Sequence, residues 1–505
     1  MSEKNRFFKS GIMLTLVALS MRTVSMFFSA YISRAVGAEG IGLYTIVMTV
    51  YSFAVTLATS GVSLTVTRLV ASAIGEEKRG DVSRILRGAL LYSSLFGIAA
   101  TLLLLFGADI IGNLILMDFR TVTSLRALAF SLLPIALSSV FSGYFVGVKR
   151  VGFNAATQIF AQAVKITITV LLVSLTADMG LVASVSALCV GITLTELFAF
   201  ALVLLEFLID RRRHGERGEK GRKMKDVAKM AVPLALSAYV RSVLLSVEHV
   251  LIPKRLRDRG ESSSEAYAHY GILHGMAVPL ILYPMTPLSS FSGLLVPEFA
   301  EGKSAGQDKR ISNIATRALN TTLVYATLAA VLIFFFSSEL GYAFYNSFDA
   351  GMYVAMLAPV LPIMYLDHVT DAMLKGIGEQ VYSMWVNISD SLLSVFLVWF
   401  LIPRLGITGY ALVIVIMEGY NFILSFFRLK KKISFEISIF KSLLFPAVIA
   451  LLSSRIANEL FAFSGSGISI PWMLLKMIFA ISLFFLFFYL GKIITGLKKK
   501  KAVNT

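Results

Sequence analysis

Arg22 stands in the middle of an apolar run, residues 11–33, that is long enough to cross a membrane. A guanidinium at mid-bilayer costs roughly 2.5–3.5 kcal/mol even on insertion scales. What it offers is a rigid fork of donors that grips phosphate or carboxylate oxygens in pairs. Arg241 occupies a similar segment: ALSAYVRSVLL (235–245) resembles ALSMRTVSMFF (18–28), and the likeness sets Arg241 against Arg22. Between them Asn154, Gln158, Gln162 and Lys165 recur at i, i+4, i+8 and i+11, one face of an α-helix. Polar side chains inside a bilayer must turn towards protein or water. The stripe therefore either lines a hydrated cavity or bonds to neighbouring helices. A lysine in it favours the cavity. Arg22, Arg241 and Lys165 would then hold an anion, and Asn154, Gln158, Gln162 and Asn387 its neutral polar parts.

The acidic residues suggest a second task. Glu248, Asp390 and Glu418, with Asn387, carry oxygens suited to a monovalent cation, Na+ or H+; the plainer reading of Glu248 is an internal ion pair. Asp367, His368 and Asp371 do not read as a metal site, because Asp367 and Asp371 share a helix face that His368 does not. No metal or cofactor is expected. Arg455 and Glu459, spaced i, i+4, read as a helix-surface pair, and Lys476 as a side chain snorkelling from its span. The loop IPKRLRDRG (252–260) carries Lys254, Arg255, Arg257 and Arg259, which could receive a diphosphate or meet anionic headgroups. The motifs GxxxxGK[ST], HExxH and GxSxG are absent, and the loops are too short to fold a catalytic domain. An enzyme is not expected.

Helices must position all of this. Hydrophobic residues make up 57% of the 505 and charged residues 15%, with a mean hydropathy of +0.78. Soluble domains run near 45–50% and 25%, so most of the chain must face lipid. The apolar runs predict an all-α integral membrane protein of roughly fourteen spans, each about 20 residues. With the N-terminus in the cytoplasm, most of the 47 basic residues fall on the inner side. The net charge of +17 then reports a cytoplasmic edge of the cell membrane rather than a nucleic-acid surface, and places both termini inside. Only the loop 252–260 dissents. Cys189, the sole cysteine, excludes a disulfide framework, and the first span reads as a retained anchor.

The chain also reads as folded twice. Segments 67–90 and 297–319, and 132–148 and 360–378, resemble one another around charged loops, prolines and Arg-containing helix starts. Pairing Gly147 with Gly376 lays the polar stripe onto Ser383, Asn387, Ser391 and Ser394. The expected domains are an N-terminal lobe (1–209), a basic linker (210–226), a C-terminal lobe (227–432), and a final helix pair with a basic tail (433–505). Parallel repeats of this kind occur in transporters that rock two halves about a central site.

YISRAVGAEGIGLYTIVMTVYSFAVTLATSGVSLTVTRLVAS (31–72) resembles the opening signature of polysaccharide-export flippases in the multidrug/oligosaccharidyl-lipid/polysaccharide (MOP) superfamily. VEHVLIPKRL (247–256) and YGILHGMAVPLILYP…LLVPEFAEG (270–302) resemble its stage V sporulation protein B and lipid II flippase branch. The likeness runs from about residue 8 to about 430 and implies a V-shaped pair of pseudo-symmetric six-helix lobes, plus two C-terminal helices, working by alternating access. It implies a polyprenyl-diphosphate-linked saccharide as substrate, with membrane lipids and cell-wall synthesis proteins as further partners and no nucleic acid. Of the cavity arginines in that branch only the first is matched, at Arg22. Phe28 stands where a second would follow, and the eighth span offers His274. The alternative within the superfamily is a cation-coupled multidrug exporter, which the mid-span arginines disfavour.

Overall fold

The computed structural model describes residues 3–59, 61–75, 80–148, 150–213, 225–462 and 469–503; nearly all are helical and none forms a strand. The first helices are α1 (Glu3–Thr59), α2 (Val62–Gly75), α3 (Gly80–Ile110), α4 (Val122–Ala129), α5 (Leu132–Gly147), α6 (Val151–Thr176) and α7 (Leu181–Arg213). There follow α8 (Lys225–Asp258), α9 (Ser263–Tyr270), α10 (Val278–Leu282), α11 (Met285–Ser304), α12 (Asp308–Phe335), α13 (Ser337–Tyr345) and α14 (Phe348–Leu357). The last are α15 (Leu361–Gly376), α16 (Gln380–Leu405), α17 (Ile407–Lys432), α18 (Phe445–Ala462) and α19 (Ile470–Val503).

Among the described residues ten helical segments are long and apolar enough to cross a membrane, or twelve if two bent pairs each count as one. The protein is therefore a multi-pass membrane protein. The fourteen expected from sequence also split Leu19–Ile74, a single candidate here, and include α8, which is not among the candidates. Gly37 is where α1 turns: its φ of 71° and ψ of −179° lie outside the helical region and join two helices end to end.

By contact the chain divides into two compact units, Ala35–Gly271, and Met1–Arg34 with Ile272–Thr505. The sequence division at 210–226 follows the chain, whereas contact assigns the first span to the second unit and α8 and α9 to the first. Particular bonds make that assignment. Arg34 donates Nε to Phe344 O at 3.0 Å and Nη2 to Ala343 O, putting a cation on the carbonyl end of α13. The Phe27 and Phe344 rings lie 5.7 Å apart beside it. In the other unit Tyr239 of α8 donates to Leu57 O at 3.0 Å. There, too, Gly42 lies so close to α9 that a β-carbon on it would stand 1.8 Å from Tyr267 O.

The internal repeat is visible in the packing. α5 and α15 have the same length, as do α6 and α16, and each pair is displaced by 229 residues. Gly147 packs against Thr67 and Val70, while Gly376, 229 residues on, packs against Val296 and Phe299, each displaced by that same interval. A β-carbon would stand 3.0 Å from Val70 Cβ at Gly147 and 2.6 Å from Phe299 Cβ at Gly376, so a side chain crowds the first crossing and forces the second apart.

The last helix pair is fastened to the second unit rather than floating beside it. Asn320 of α12 donates to Glu436 O at 2.8 Å and accepts from Ser438 N and Ser442 Oγ. Lys476 of α19 donates to Glu339 of α13 at 2.9 Å, both side chains being mostly buried. The snorkelling expected of Lys476 is thus corrected: a carboxylate on a neighbouring helix holds the ammonium more firmly than a stretch to the interface would.

Candidate functional site

The apolar run 268–296 reads as one span, but the chain bends by 60° between Ser263–Leu282 and Met285–Ser304. Pro284 lies at the bend and Pro287 just beyond it, and neither has an N–H to continue a helical ladder. A break inside a membrane exposes carbonyls that water cannot reach, so protein must satisfy them. Two tyrosines do so: Tyr325 Oη donates to Pro284 O at 2.5 Å and Tyr365 Oη to Ile281 O at 3.2 Å. Tyr283, at the bend itself, bonds through its hydroxyl to Thr23 at 2.8 Å and so ties the broken helix to α1.

A cavity of about 460 Å³ opens beside this break, lined by Met21, Arg22, Ser25, Leu282, Met285, Thr286, Ser289 and Ser290. Arg22 is half-buried and makes no hydrogen bond or ion pair with another described residue. α11 starts at Met285, so the positive end of its dipole opens into the same cavity. One guanidinium and one helix N-terminus face there a space fit for an anion. The hydroxyls of Thr286, Ser289 and Ser290 donate to backbone carbonyls of their own helix and present acceptor oxygens to the same space. Sequence reasoning found Arg22 and missed Tyr283, Thr286, Ser289 and Ser290. The signal was the stretch LYPMTPLSS (282–290), in which two prolines and two serines interrupt an apolar run.

The other proposed ligands are distributed differently. Aligning Ala18-Leu19-Ser20 with Ala235-Leu236-Ser237 sets Tyr239, not Arg241, opposite Arg22. Arg241 is two residues further, about 200° round a helix, and lies exposed on α8 in the first unit. In α6 Gln158 is exposed, Gln162 and Lys165 are half-buried, and Lys165 lies within electrostatic reach of Glu196 on α7. The side chain of Asn154 lies outside the described residues. In α16 the matching stripe is packed inside protein: Ser383, Ser391 and Ser394 are 2–3% exposed, and Asn387 donates back to Ser383 O at 2.7 Å. His274 bonds through Nε2 to Tyr410 Oη at 2.9 Å.

Of the acidic candidates, Glu418 of α17 lies within electrostatic reach of Asp390 on α16 and of Asp367 on α15. The buried oxygens Asp367 Oδ1 and Asn421 Oδ1 have no hydrogen-bond partner among the described residues. Glu248 is buried in the first unit near Tyr270, a residue also bonded to His249 Nδ1 at 2.9 Å. Among the described residues no three Asp, Glu, His or Cys side chains converge closely enough to hold a metal ion. Asp371 pairs with Lys375 at 2.5 Å, and the exposed Arg455 meets Glu459 at 3.9 Å as the spacing predicted. The segment 252–260, which reads as a loop in sequence, is instead the last two turns of α8 as far as Asp258, because its apolar Ile252 and Leu256 are buried. Its four cations are parted too. Arg255 pairs with Asp258 at 2.7 Å, Arg257 donates to Leu116 O and Met117 O, and Lys254 and Arg259 have no such partner among the described residues.

Fold and cavity together define a multi-pass helical membrane protein with a cationic pocket at a broken helix. The chain belongs to the family described as polysaccharide biosynthesis protein, which it matches over residues 7–303, and it matches the MatE family over residues 299–400. It is 26% identical over 420 residues to stage V sporulation protein B of Bacillus subtilis (strain 168), covering 82% of this chain and 81% of that one. Sporulation protein YkvU of the same organism is 21% identical over 393 residues, covering 76% and 85%. Among solved structures, lipid II flippase MurJ in an inward closed conformation shares the fold with a TM-score of 0.71 at 15% identity, over 95% of this chain and all of that one. A multidrug resistance MATE family transporter of the MOP superfamily, inward-facing, gives 0.66 at 16% identity, over 83% and 98%.

Proposed function

We propose that this protein is a flippase, not an enzyme, and that it carries a polyprenyl-diphosphate-linked saccharide across the cytoplasmic membrane by alternating access. Lipid II, or a related precursor of cell wall or spore cortex, is the substrate that the relationship to a sporulation protein and the fold shared with a lipid II flippase favour. The observation that carries the reading is Arg22, half-buried in the cavity at the broken helix with its donors unspent on described neighbours. An ionised guanidinium at membrane depth needs a counter-charge. A diphosphate supplies it, with oxygens for the guanidinium fork and for the positive end of α11. The hydroxyls of Thr286, Ser289 and Ser290 donate to Tyr283 O, Met285 O and Thr286 O, so their oxygens are left to accept from saccharide hydroxyls. The polyprenyl tail stays in lipid while the headgroup crosses. Both termini lie in the cytoplasm on this reading.

Three half-buried carboxyl groups on α15, α16 and α17 repel one another when ionised, which favours a shared proton, and we assign Asp367, Asp390 and Glu418 as the seat of H+ coupling. The same cluster favours the second reading, a cation-coupled drug exporter, for which the MATE-type fold is equally suited. An unpaired arginine in the cavity disfavours cationic drugs by plain repulsion.

Reconstitution in liposomes with fluorescent lipid II separates the two. Faster arrival of the label in the opposite leaflet than in empty liposomes is expected, with sensitivity to an imposed proton gradient. A chain that leaves lipid II where it was but raises cellular tolerance to cationic dyes would establish the exporter instead.

A further inference from the structure

The first unit contains an apolar groove that the pocket at Arg22 does not involve. Its volume is about 580 Å³, within the range of small-ligand sites, and it runs along α1, α3 and α8. Phe53, Leu57, Leu104 and Val250 are among its walls, and Leu103 and Leu114, 51% and 69% exposed, leave its outer side open. Among the described residues one ionisable side chain lines it: Lys254, the last of the lining residues along α8.

The surrounding charges show why Lys254 matters. At the end of α8, the segment that defies the positive-inside rule, Arg255 is committed to Asp258. Arg257 is committed to the carbonyls of Leu116 and Met117, at 3.0 and 3.1 Å, and closes the end of α3's continuation. Lys254 makes no hydrogen bond or ion pair with another described residue and stands at an apolar trough. An open hydrocarbon-lined groove whose described lining carries a lysine at one end complements a molecule with a long apolar chain and a single negative charge at its head.

We propose that this groove binds a bilayer glycerophospholipid with an anionic headgroup, its acyl chain lying between α1, α3 and α8 and its phosphate on Lys254. The basic end of α8 is then explained without a topological error: one arginine holds an acid, one holds a helix end, and the lysine holds a lipid. The site does not depend on what the protein carries.

The test places the full-length chain in phosphatidylcholine nanodiscs with a trace of lipid bearing a photoactivatable group in its acyl chain. The probes are phosphatidylglycerol and, separately, phosphatidylcholine, with labelled peptides mapped by mass spectrometry. Phosphatidylglycerol is expected to label peptides covering 100–115 and 246–254 more heavily than phosphatidylcholine does. Lys254→Ala should cut phosphatidylglycerol labelling about fivefold, the value of one basic residue at a membrane surface. Leu103→Trp, or Leu114→Trp if the first does not fold, should block the groove to both lipids. Arg259→Ala and Arg22→Ala should leave labelling unchanged, which also separates this site from the transport pocket. Equal labelling by the two lipids, indifference to Lys254→Ala, or labelling that survives a tryptophan in a folded variant would each overturn the proposal.

Discussion

Replacing Arg22 with alanine should separate binding from folding. The guanidinium makes no hydrogen bond or ion pair with another described residue, so its removal strands no partner. Breaking a buried ion pair costs about 3–5 kcal/mol, but among the described residues Arg22 has no such pair to break. The ligand-free protein should therefore unfold within about 0.5 kcal/mol of wild type, as for a site without a structural partner. Binding is another matter. A hydrogen bond to a charged group contributes about 1.5–3 kcal/mol, so diphosphate affinity should fall roughly 10–150-fold. Thermal unfolding of the purified chain with and without geranylgeranyl diphosphate reads both effects at once. At a hundredfold excess over Kd a ligand stabilises wild type by about 2.7 kcal/mol. At the same concentration Arg22→Ala should retain only about 0.3–1.4 kcal/mol, as mass action prescribes for a ligand bound 10–150-fold more weakly. Geranylgeraniol, which lacks the diphosphate, should not distinguish the two proteins. The reasoning fails if Arg22→Ala destabilises the ligand-free protein by several kcal/mol, since Arg22 would then be structural. It fails equally if the full ligand stabilisation survives.

Three other outcomes follow from the packing and the loop charges. Lys476→Ala removes the partner of Glu339 and should lower stability by about 1.5–3 kcal/mol in a denaturation curve, with much of the loss restored in Lys476→Met/Glu339→Leu. Gly42→Ala should cost at least about 1–3 kcal/mol, since its β-carbon would overlap Tyr267 O. Gly293→Ala, with nothing within 4 Å, should be neutral or stabilising by up to about 1 kcal/mol, and comparing the folded yields of the two variants checks this. The third outcome concerns Glu379, between α15 and α16, whose carboxyl is held below its usual 4.5 by Lys432 and then Arg428. Because its folded pKa is depressed, its contribution to stability is present above about pH 4.5 and is lost as the pH falls through the folded value. Glu379→Gln should flatten that acid limb in a series of unfolding curves.

Much of the protein is legible in its residues because membranes impose one-dimensional rules. Apolar runs must become helices, since nothing else satisfies backbone polar groups in lipid, and so the all-α class and the multi-pass architecture follow from composition and run length. The repeat was legible because equal packing demands equal small residues: Gly147 and Gly376 mark the same helix crossing in both halves. Arg22 was legible because its cost at membrane depth allows few explanations.

The composition of the pocket around Arg22 was decided only in three dimensions. A polar stripe looks the same in sequence whether it lines water or packs on a neighbour, and Ser383, Ser391 and Ser394 turned out to be packed inside protein. Arg241 matched Arg22 by resemblance, but two residues along a helix carry a side chain most of the way to the opposite face. The residues that complete the cavity, Thr286, Ser289 and Ser290, follow a break in the helix that depends on Tyr325 and Tyr365, distant in the chain, satisfying the freed carbonyls. Local sequence determined what each segment of this protein had to be, because solvation acts on every residue where it stands. Which polar group met which was left to the tertiary structure, because a hydrogen bond needs a partner that only the packing of distant helices supplies.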